Sequence, residues 1–255
     1  MISGQVINSI IKYANLSKDD TVLEIGPGIG FVTEKAAPEV KRLIAVEIDK
    51  DAIDVLSNLP FNNIDIINKD ILQTDFSLLT DERIKIIANI PYYITSPILV
   101  HLLGEIDEQT NKNRNLISEI ILMVQYEVAK RIVATNESHS KDYGLLSILC
   151  NFWAETEVLE KVPASAFYPK PKVDSALVRL RVRETPLFKL DDPKKFRRVI
   201  KGAFAMRRKT LVNSLSSSGF SKERIKSALM ELGFSENIRA ENLSIEDFKN
   251  LSQKL

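Results

Sequence analysis

The first half of this chain alternates between short apolar segments and helical ones, and this alternation restricts the fold more than any other feature. A glycine loop, residues 26–30, follows the first apolar segment. Such alternation predicts a mostly parallel sheet covered by helices on both faces. The predicted helices lie at about 31–37 and 51–59, and the predicted strands are 21–25, 42–47, 64–68, 84–89 and 119–125.

Two further strands are predicted to close the sheet. They are 154–162 and 173–183, with a proline-rich loop at 164–172 between them. From Leu177 onward apolar and basic residues alternate, so Arg179, Arg181 and Arg183 share one face of the second strand. This pattern is typical of an edge strand whose charges point outward.

The last third of the chain has a helical pattern only. After a polar connection, helices are predicted at 194–206, 210–217, 221–232 and 244–252. The last of them starts with a Ser-x-x-Asp capping box. We therefore predict an α/β, Rossmann-like domain over residues 1–185 and a small all-helical domain over residues 186–255.

Composition limits the class of protein. Of the 255 residues, 44% are hydrophobic and 27% are charged, which excludes a disordered or fibrous chain. No apolar segment approaches the roughly 20 residues that a membrane span needs, so no membrane partner is expected. The single cysteine, Cys150, cannot form an internal disulfide, which favours a reducing compartment and a cytoplasmic location.

The net charge of +1 conceals an uneven distribution. Residues 1–160 hold 14 basic and 24 acidic residues, whereas residues 161–255 hold 21 basic and 10 acidic ones. A basic C-terminal part is expected to contact a polyanion, although two solvated surfaces of unequal sign would give the same count. Within it, Arg207, Arg208 and Lys209 at a helix break are the predicted contacts with a nucleic acid.

The glycine loop predicts a nucleoside-binding site. Gly26 and Gly28 let the backbone pass close to a ligand, and an acid at the end of the next strand, Glu47, suits the hydroxyls of a ribose. Asp70, past the third strand, is placed to bind an adenine amino group, and Ile48 and Ile71 would lie on the two faces of the adenine. The spacing G-x-G-x-G after Glu24 favours S-adenosylmethionine over a dinucleotide, whose loops have the form G-x-G-x-x-G.

The fourth strand ends in Asn89-Ile90-Pro91-Tyr92. An amide, a rigid proline and an aromatic ring suit a flat base that carries an exocyclic amine. Asn89 would accept a hydrogen bond from that amine and direct its lone pair at a methyl group, while Tyr92 stacks on the base. Because a sulfonium is a very good leaving group, this chemistry needs no strong base. The alternative is a plain turn at the end of a strand.

The remaining candidates are structural. His101 and His139 are far apart in the sequence and show no metal-ligand spacing, and Cys150 and Trp153 lie in an apolar segment. No cluster of cysteine and histidine predicts a zinc site, so no metal is expected.

The chain resembles the KsgA-type ribosomal RNA adenine dimethyltransferases along almost its whole length. The matching motifs are EIGPGIG (24–30), VEID (46–49), NIPY (89–92), PASAFYPKPKVDSA (163–176), RRKTLVNSL (207–215) and RAENLS (239–244). The first three occur widely among amino-methylating enzymes, whereas the last three are much more specific.

The resemblance implies transfer of two methyl groups to N6 of each of two adjacent adenines, in a hairpin loop near the 3′ end of small-subunit ribosomal RNA. By the same motifs, Gly26, Glu47, Asp70 and Asn89 would hold S-adenosylmethionine. Asn89 and Tyr92 would hold the target base, and Phe167 would stack on its other face. The expected partner is this RNA, free or in an assembling 30S-type subunit, and a monomer is expected.

The resemblance also has one departure. Members of the family usually open with a segment similar to GQNFL, which touches the cofactor, and this sequence starts about where that segment ends. A chain lacking that segment is expected to bind the cofactor less tightly.

Three rival functions are open at this point. A non-catalytic ribosome-assembly or transcription factor would have the same fold, but the intact NIPY motif favours retained chemistry. A large-subunit ribosomal RNA adenine methylase would share NIPY, but RRKTLVNSL is not expected in that group. A nucleotide-dependent oxidoreductase is disfavoured by the glycine spacing.

Overall fold

The computed structural model describes residues 3–90, 94–138 and 140–255. Within them a mixed sheet is formed by β1 Thr21–Ile25, β2 Arg42–Glu47, β3 Ile64–Asn68, β4 Ile84–Asn89, β5 Ile117–Gln125, β6 Ala154–Val162 and β7 Ser175–Val182. The strand order is β3-β2-β1-β4-β5-β7-β6. The pairings among β1 to β5 are parallel, and β7 is antiparallel to both of its neighbours. The predicted α/β, Rossmann-like fold is confirmed.

The apolar strands form because their side chains are buried. All five residues of β1 are buried, and five of the six in β2 are. Central strands of a parallel sheet are covered on both faces, so a nearly continuous apolar run is stable there and would be unfavourable at an edge.

The prediction that the strand carrying Arg179, Arg181 and Arg183 is an edge strand is wrong. β7 lies between β5 and β6, and β6 takes the edge. The Arg179 side chain is 14% exposed and forms ion pairs with Glu157 of β6 at 2.7 Å and with Glu119 of β5 at 3.2 Å. The same two acids lie 3.5–3.6 Å from Arg181, and Arg183 pairs with Glu155 at 3.0 Å. Cross-strand partners neutralise these arginines, so an interior position is stable.

The chain divides into two compact units. Unit 1 comprises residues 1–104, 110–130 and 154–184, and unit 2 comprises 105–109, 131–153 and 185–255. Both differ from the predicted domains, 1–185 and 186–255, in that neither unit is continuous. Unit 2 adds the segment 131–153 to the C-terminal helices.

Unit 1 carries the sheet and its flanking helices. Their bounds are α1 Gly4–Ala14, α2 Phe31–Ala36, α3 Lys50–Leu56, α4 Thr95–Leu103 and α5 Lys112–Leu116, with 3-10 turns at 37–39, 71–73, 76–78 and 164–166. Helix α1 has no predicted counterpart. It begins at a Ser3 cap, and its apolar side chains at positions 6, 7, 10 and 14 join a core that includes Val22, Leu43 and Met123.

Helix α6, Tyr126–Val133, spans the point where the chain leaves unit 1 for unit 2. In unit 2 the helices are α7 Leu145–Trp153, α8 Pro193–Ala205, α9 Leu211–Ser217, α10 Lys222–Glu231 and α11 Ile245–Lys254, with 3-10 turns at 136–138 and 240–242. The capping box predicted at Ser244 is present, with Asp247 bonded back to the Ser244 backbone at 2.9 Å. Phe196, Phe248 and Trp153 are buried in this unit. Within the described part of the chain, no helix is long and apolar enough to cross a membrane.

Candidate active site

The carboxyl ends of four parallel strands lie side by side in the order β3, β2, β1, β4. Asp70 follows β3, Glu47 ends β2, the glycine loop 26–30 follows β1, and Asn89 ends β4. The chain leaves β1 towards β2 on one side and returns to β4 on the other. Such a switch point is where open α/β sheets bind ligands. The fold therefore brings the predicted site residues of these strands to one edge.

The glycine loop and the end of β4 enclose a cavity of about 240 Å³. It is lined by Glu24, Gly26, Pro27, Gly28, Ile29, Phe31, Val32 and Asn89. Gly26 and Gly28 both have positive φ, 64° and 56°, which favours glycine. The loop thus exposes backbone to the cavity where larger side chains would strain the turn.

Glu47 is tied to the glycine loop. Its Oε2 accepts the N–H of Gly28 at 2.9 Å, and its Oε1 accepts the N–H groups of Ile48 and Asp49 at 2.8 and 3.0 Å. Asn68 donates from Nδ2 to the carbonyls of Glu47 and Ile48 at 3.1 and 3.2 Å. Glu47 is 8% exposed, and its carboxylate is held in one orientation, as a group that recognises a ligand needs to be.

Glu24 lies in the wall of the cavity and is 4% exposed. Its Oε2 accepts the Thr33 hydroxyl at 2.7 Å. Burial, assisted by the charge of Glu47, raises the pKa of Glu24 to about 7, and the Thr33 hydrogen bond opposes the rise. A buried carboxyl beside a ligand cavity stabilises a cation there when it is ionised.

Gly30 has a packing role. Its φ is 88°, and a β-carbon at this position would lie 2.8 Å from Cδ2 of Leu56 at the end of α3. The third glycine of the loop is therefore required by the approach of α3.

The residues predicted to enclose an adenine differ in exposure. Ile48 is 67% exposed, whereas Ile71 is 7% exposed. Asp70 caps the turn at 71–73 through Oδ1, which accepts the Leu72 N–H at 2.9 Å. Their predicted contacts with a cofactor stay predictions.

Asn89 is half-buried at the end of β4 and lines the cavity. Pro91 and Tyr92, which were predicted to act with it, lie outside the described residues, as does His139.

Phe167 belongs to the loop 163–174 that leads into β7. The first residue of β7, Ser175, pairs with Gln125 at the carboxyl end of β5, so this loop starts from the same sheet edge as the glycine loop. The Phe167 side chain is half-buried against the core of unit 1. Its predicted stacking on a target base stays a prediction.

Asp174 fastens that loop at its end. Its Oδ1 accepts the Ala164 N–H at 3.0 Å, its Oδ2 pairs with Lys161 Nζ at 2.9 Å, and its carbonyl accepts the Tyr126 N–H at 2.9 Å. The Lys161 hydrogen bond and the Ala164 N–H hold the pKa of Asp174 below its ordinary value. The Lys161 ammonium also lies 4.8 Å from the centroid of the Tyr126 ring.

The predicted RNA contacts fall in unit 2, between α8 and α9. Arg207 donates to the carbonyls of Lys141 and Tyr143, the latter at 2.7 Å. Arg208 and Lys209 are exposed, and no acidic partner is found for either within the described residues. Arg207 thus holds the segment 141–143 in place, whereas the other two side chains are available to a ligand.

Three of the residues predicted to be structural, His101, Cys150 and Trp153, lie within the described part of the chain and are packed against it. His101 Nε2 lies 2.9 Å from the Thr74 carbonyl and 3.1 Å from Asn113, and Cys150 and Trp153 are buried. Within the described residues, no group of three or more histidine, cysteine, aspartate or glutamate side chains could hold a metal ion.

Two site features lie outside the predicted set. Glu24 had a signal, its position before the first glycine, but its burial depends on packing against the rest of unit 1. Asp174 had none, because its three partners are brought together only by the antiparallel pairing of β7.

Comparison with known proteins identifies the family. The family model described as "Ribosomal RNA adenine dimethylase" matches residues 1–255. A relative from Caldanaerobacter subterraneus subsp. tengcongensis, named "Ribosomal RNA small subunit methyltransferase A", is 39% identical and covers 98% of this chain and 92% of its own. These matches span the glycine loop, the Asn89 motif and the C-terminal helices together.

Two solved structures are similar over the whole chain. A dimethyladenosine transferase from Plasmodium falciparum has 26% identity and a TM-score of 0.78, with 98% of this chain and 95% of that chain covered. The 23S rRNA methyltransferase ErmE has 28% identity and a TM-score of 0.70, with 99% and 98% covered. With a family model matched from end to end and the site residues gathered at one sheet edge, the chain belongs to the ribosomal RNA adenine dimethylase family.

Proposed function

We propose that this protein uses S-adenosylmethionine to dimethylate N6 of two adjacent adenines in a hairpin loop near the 3′ end of small-subunit ribosomal RNA. The observation that carries the proposal is the row of strand ends at which Asp70, Glu47, the glycine loop and Asn89 lie in sheet order. The curated relative is named for a small-subunit methyltransferase, which supports this substrate. The role in assembly of the small subunit rests on the same resemblance.

The cavity suits part of the proposed cofactor. At about 240 Å³ it is smaller than the roughly 300–1,000 Å³ of common ligand pockets, so the rest of a nucleoside would lie along Glu47 and Asp70. Glu47 would accept hydrogen bonds from the ribose hydroxyls, and Asp70 would bind the adenine amine between Ile48 and Ile71. The backbone at Gly26 and Gly28 would contact the cofactor across the loop. When bound, the cofactor supplies an electrophilic methyl group.

The acidic character of the wall also fits this cofactor. Glu24 is buried there with a hydroxyl partner and no basic one within the described residues. The sulfonium and ammonium groups of S-adenosylmethionine are cationic, so an ionised carboxyl nearby would favour them over a pyrophosphate.

Asn89 is the proposed orienting residue. Its side-chain oxygen would accept a hydrogen bond from the exocyclic amine of the target adenine, which directs the nitrogen lone pair towards the methyl group. Tyr92 and Phe167 would hold the two faces of the flipped base, and Pro91 would keep the loop rigid. Alignment and electrostatics then account for the rate, and the amine would lose its extra proton to water after transfer.

The test is methyl transfer to purified subunits. The protein is incubated with labelled cofactor and unmodified small or large subunits, and the labelled nucleotides are mapped. We expect label on two adjacent adenines of the small-subunit RNA. Label on large-subunit RNA would instead support the activity named for the similar ErmE structure.

An Asn89→Ala variant tests for catalysis against the non-catalytic alternative. Loss of one orienting group should lower the rate by about 100-fold while RNA still binds. The matched control is Asn62→Ala, an exposed asparagine in the loop before β3 that should retain the wild-type rate. Equal rates for Asn89→Ala and wild type would refute the role of Asn89.

A further inference from the structure

The surface of unit 2 contains a second basic feature besides Arg208 and Lys209. A cleft of about 570 Å³ lies between the start of α8 and the start of α10. It is lined by Asp192, Lys194, Lys195, Arg198, Gly219, Phe220, Ser221, Arg224 and Leu255. Four of these nine residues are cationic, and Asp192 is the one acidic side chain among them. Asp192 is occupied as the cap of α8, where it accepts the Lys195 N–H at 2.9 Å.

The two arginines of the cleft are held in place without being neutralised. Arg198 lies over the Phe220 ring, 4.5 Å from its centroid, and bonds to the Gly219 carbonyl at 3.4 Å. Arg224 donates from Nε to the Lys254 carbonyl at 3.0 Å. A ring and two carbonyls orient these guanidinium groups and leave their positive charge intact. Pre-orientation lowers the entropy cost of binding an anion.

The neighbouring Arg197, in the same helix, differs from these arginines because it has acidic partners. It pairs with Glu105 and with Asp107, the latter at 3.2 Å, and these acids raise its pKa. Lys194, Lys195 and Arg198 have no such acidic partner within the described residues. The excess charge of α8 is therefore concentrated on the side that faces the cleft.

We propose that this cleft binds a backbone phosphate of the RNA, through Lys194, Lys195, Arg198 and Arg224. The inference rests on the proposed function, because the phosphate belongs to the same RNA. Helix α8 has 13 residues and so is about 20 Å long. The cleft lies at its start, and Arg208 and Lys209 follow its end. The RNA would contact both ends of α8.

The experiment measures the salt dependence of binding to a small-subunit RNA fragment that contains the target hairpin. The variant is Lys194→Gln/Lys195→Gln, which removes two cationic side chains for which the described residues show no bonded partner. We expect about tenfold weaker binding near 0.1 M salt and a slope of log K against log salt that is smaller by about 1 to 2. Calorimetric affinity for the cofactor should be unchanged.

The control is Lys226→Gln/Lys249→Gln, which removes the same charge from α10 and α11, outside the lining of the cleft. An unchanged slope in the Lys194/Lys195 variant, or an equal loss in the control, would overturn the proposal. A loss seen only with assembling subunits, and not with the naked RNA fragment, would also overturn it, since the cleft would then bind another component of the subunit. If the wild-type protein transfers no methyl group to small subunits, the proposed function fails instead.

Discussion

Two runs of basic residues, one in β7 and one in α8, differ in whether their charges are paired with acidic side chains. The arginines of β7 in unit 1 alternate with apolar residues and are paired with glutamates of the flanking strands. Lys194, Lys195 and Arg198 of α8 in unit 2, and the cations after the end of that helix, lack acidic partners within the described residues. A count of basic residues treats the two runs as equal. Only the pairing distinguishes a charge that stabilises the fold from one that is available to a polyanion.

The largest expected effect tests the structural side of this comparison. Arg179→Ala leaves Glu119, which is 17% exposed, and Glu157 without their central partner, so unit 1 should lose about 3 kcal/mol of unfolding free energy in urea. Arg181→Ala, at a side chain that is 55% exposed, should cost less than about 1 kcal/mol. Equal losses for the two variants would contradict the distinction between a buried and an exposed pair.

The comparison extends to the acids, because Glu24 is buried without a basic partner. Its pKa in the folded protein, about 7, lies above the ordinary value of 4.5. The stability it contributes is therefore complete below pH 4.5 and is lost as the pH rises through 7. Unfolding free energies at pH 5 and pH 8 should differ by up to about 3 kcal/mol more in the wild type than in Glu24→Gln. Glu34→Gln, an exposed site in α2, should leave the wild-type difference unchanged.

The next prediction separates two roles within one basic triplet. Arg208→Gln/Lys209→Gln should weaken RNA binding by about tenfold without altering the thermal midpoint, because these side chains are solvated. Arg207→Gln should lower the thermal midpoint, since it removes the donor to the Lys141 and Tyr143 carbonyls. Thermal unfolding and RNA binding are measured for both variants. If the thermal midpoint falls only in the Arg208/Lys209 variant, the structural role belongs to that pair and not to Arg207.

The smallest effect concerns the loop that carries Phe167. Asp174→Asn weakens the pairing with Lys161, so the loop should be held less firmly and kcat should fall by about threefold to tenfold. The cofactor KM should not change, since Asp174 does not line the glycine-loop cavity. Steady-state kinetics decide this, with Asp191→Asn in unit 2 as the control. A fall in cofactor affinity would contradict this prediction, because it would show that the loop supports the cofactor-binding part of the site and not the part that holds the target base.

Much of the sheet could be predicted because apolar runs bounded by turns are a local signal. The strands 21–25, 42–47, 64–68, 84–89 and 154–162 have the predicted bounds. The position of β7 could not be predicted, because alternation indicates which side chains share a face and not which strands lie alongside. Its acidic partners, Glu119 and Glu157, are 60 and 22 residues away in the chain.

The candidate site shows the same limit. Glu47, Asp70 and Asn89 could be proposed because each ends or follows a strand, and parallel strands end at one edge. The burial of Glu24 and the bonds of Asp174 depend on tertiary packing. The availability of Arg198 and Arg224 also depends on it, since their carbonyl and ring contacts join separate helices of unit 2.

The strand order also sets the distance between the two ends of the candidate site. Neighbouring strands are about 4.8 Å apart, so about 14 Å separates the end of β3, beside Asp70, from the end of β4, beside Asn89. If Asp70 binds the cofactor adenine and Asn89 the target adenine, as proposed, a bisubstrate inhibitor would need to hold its two purine amino groups about that far apart. Because each of these strands is hydrogen-bonded to its neighbour, the pairing of the sheet sets that distance.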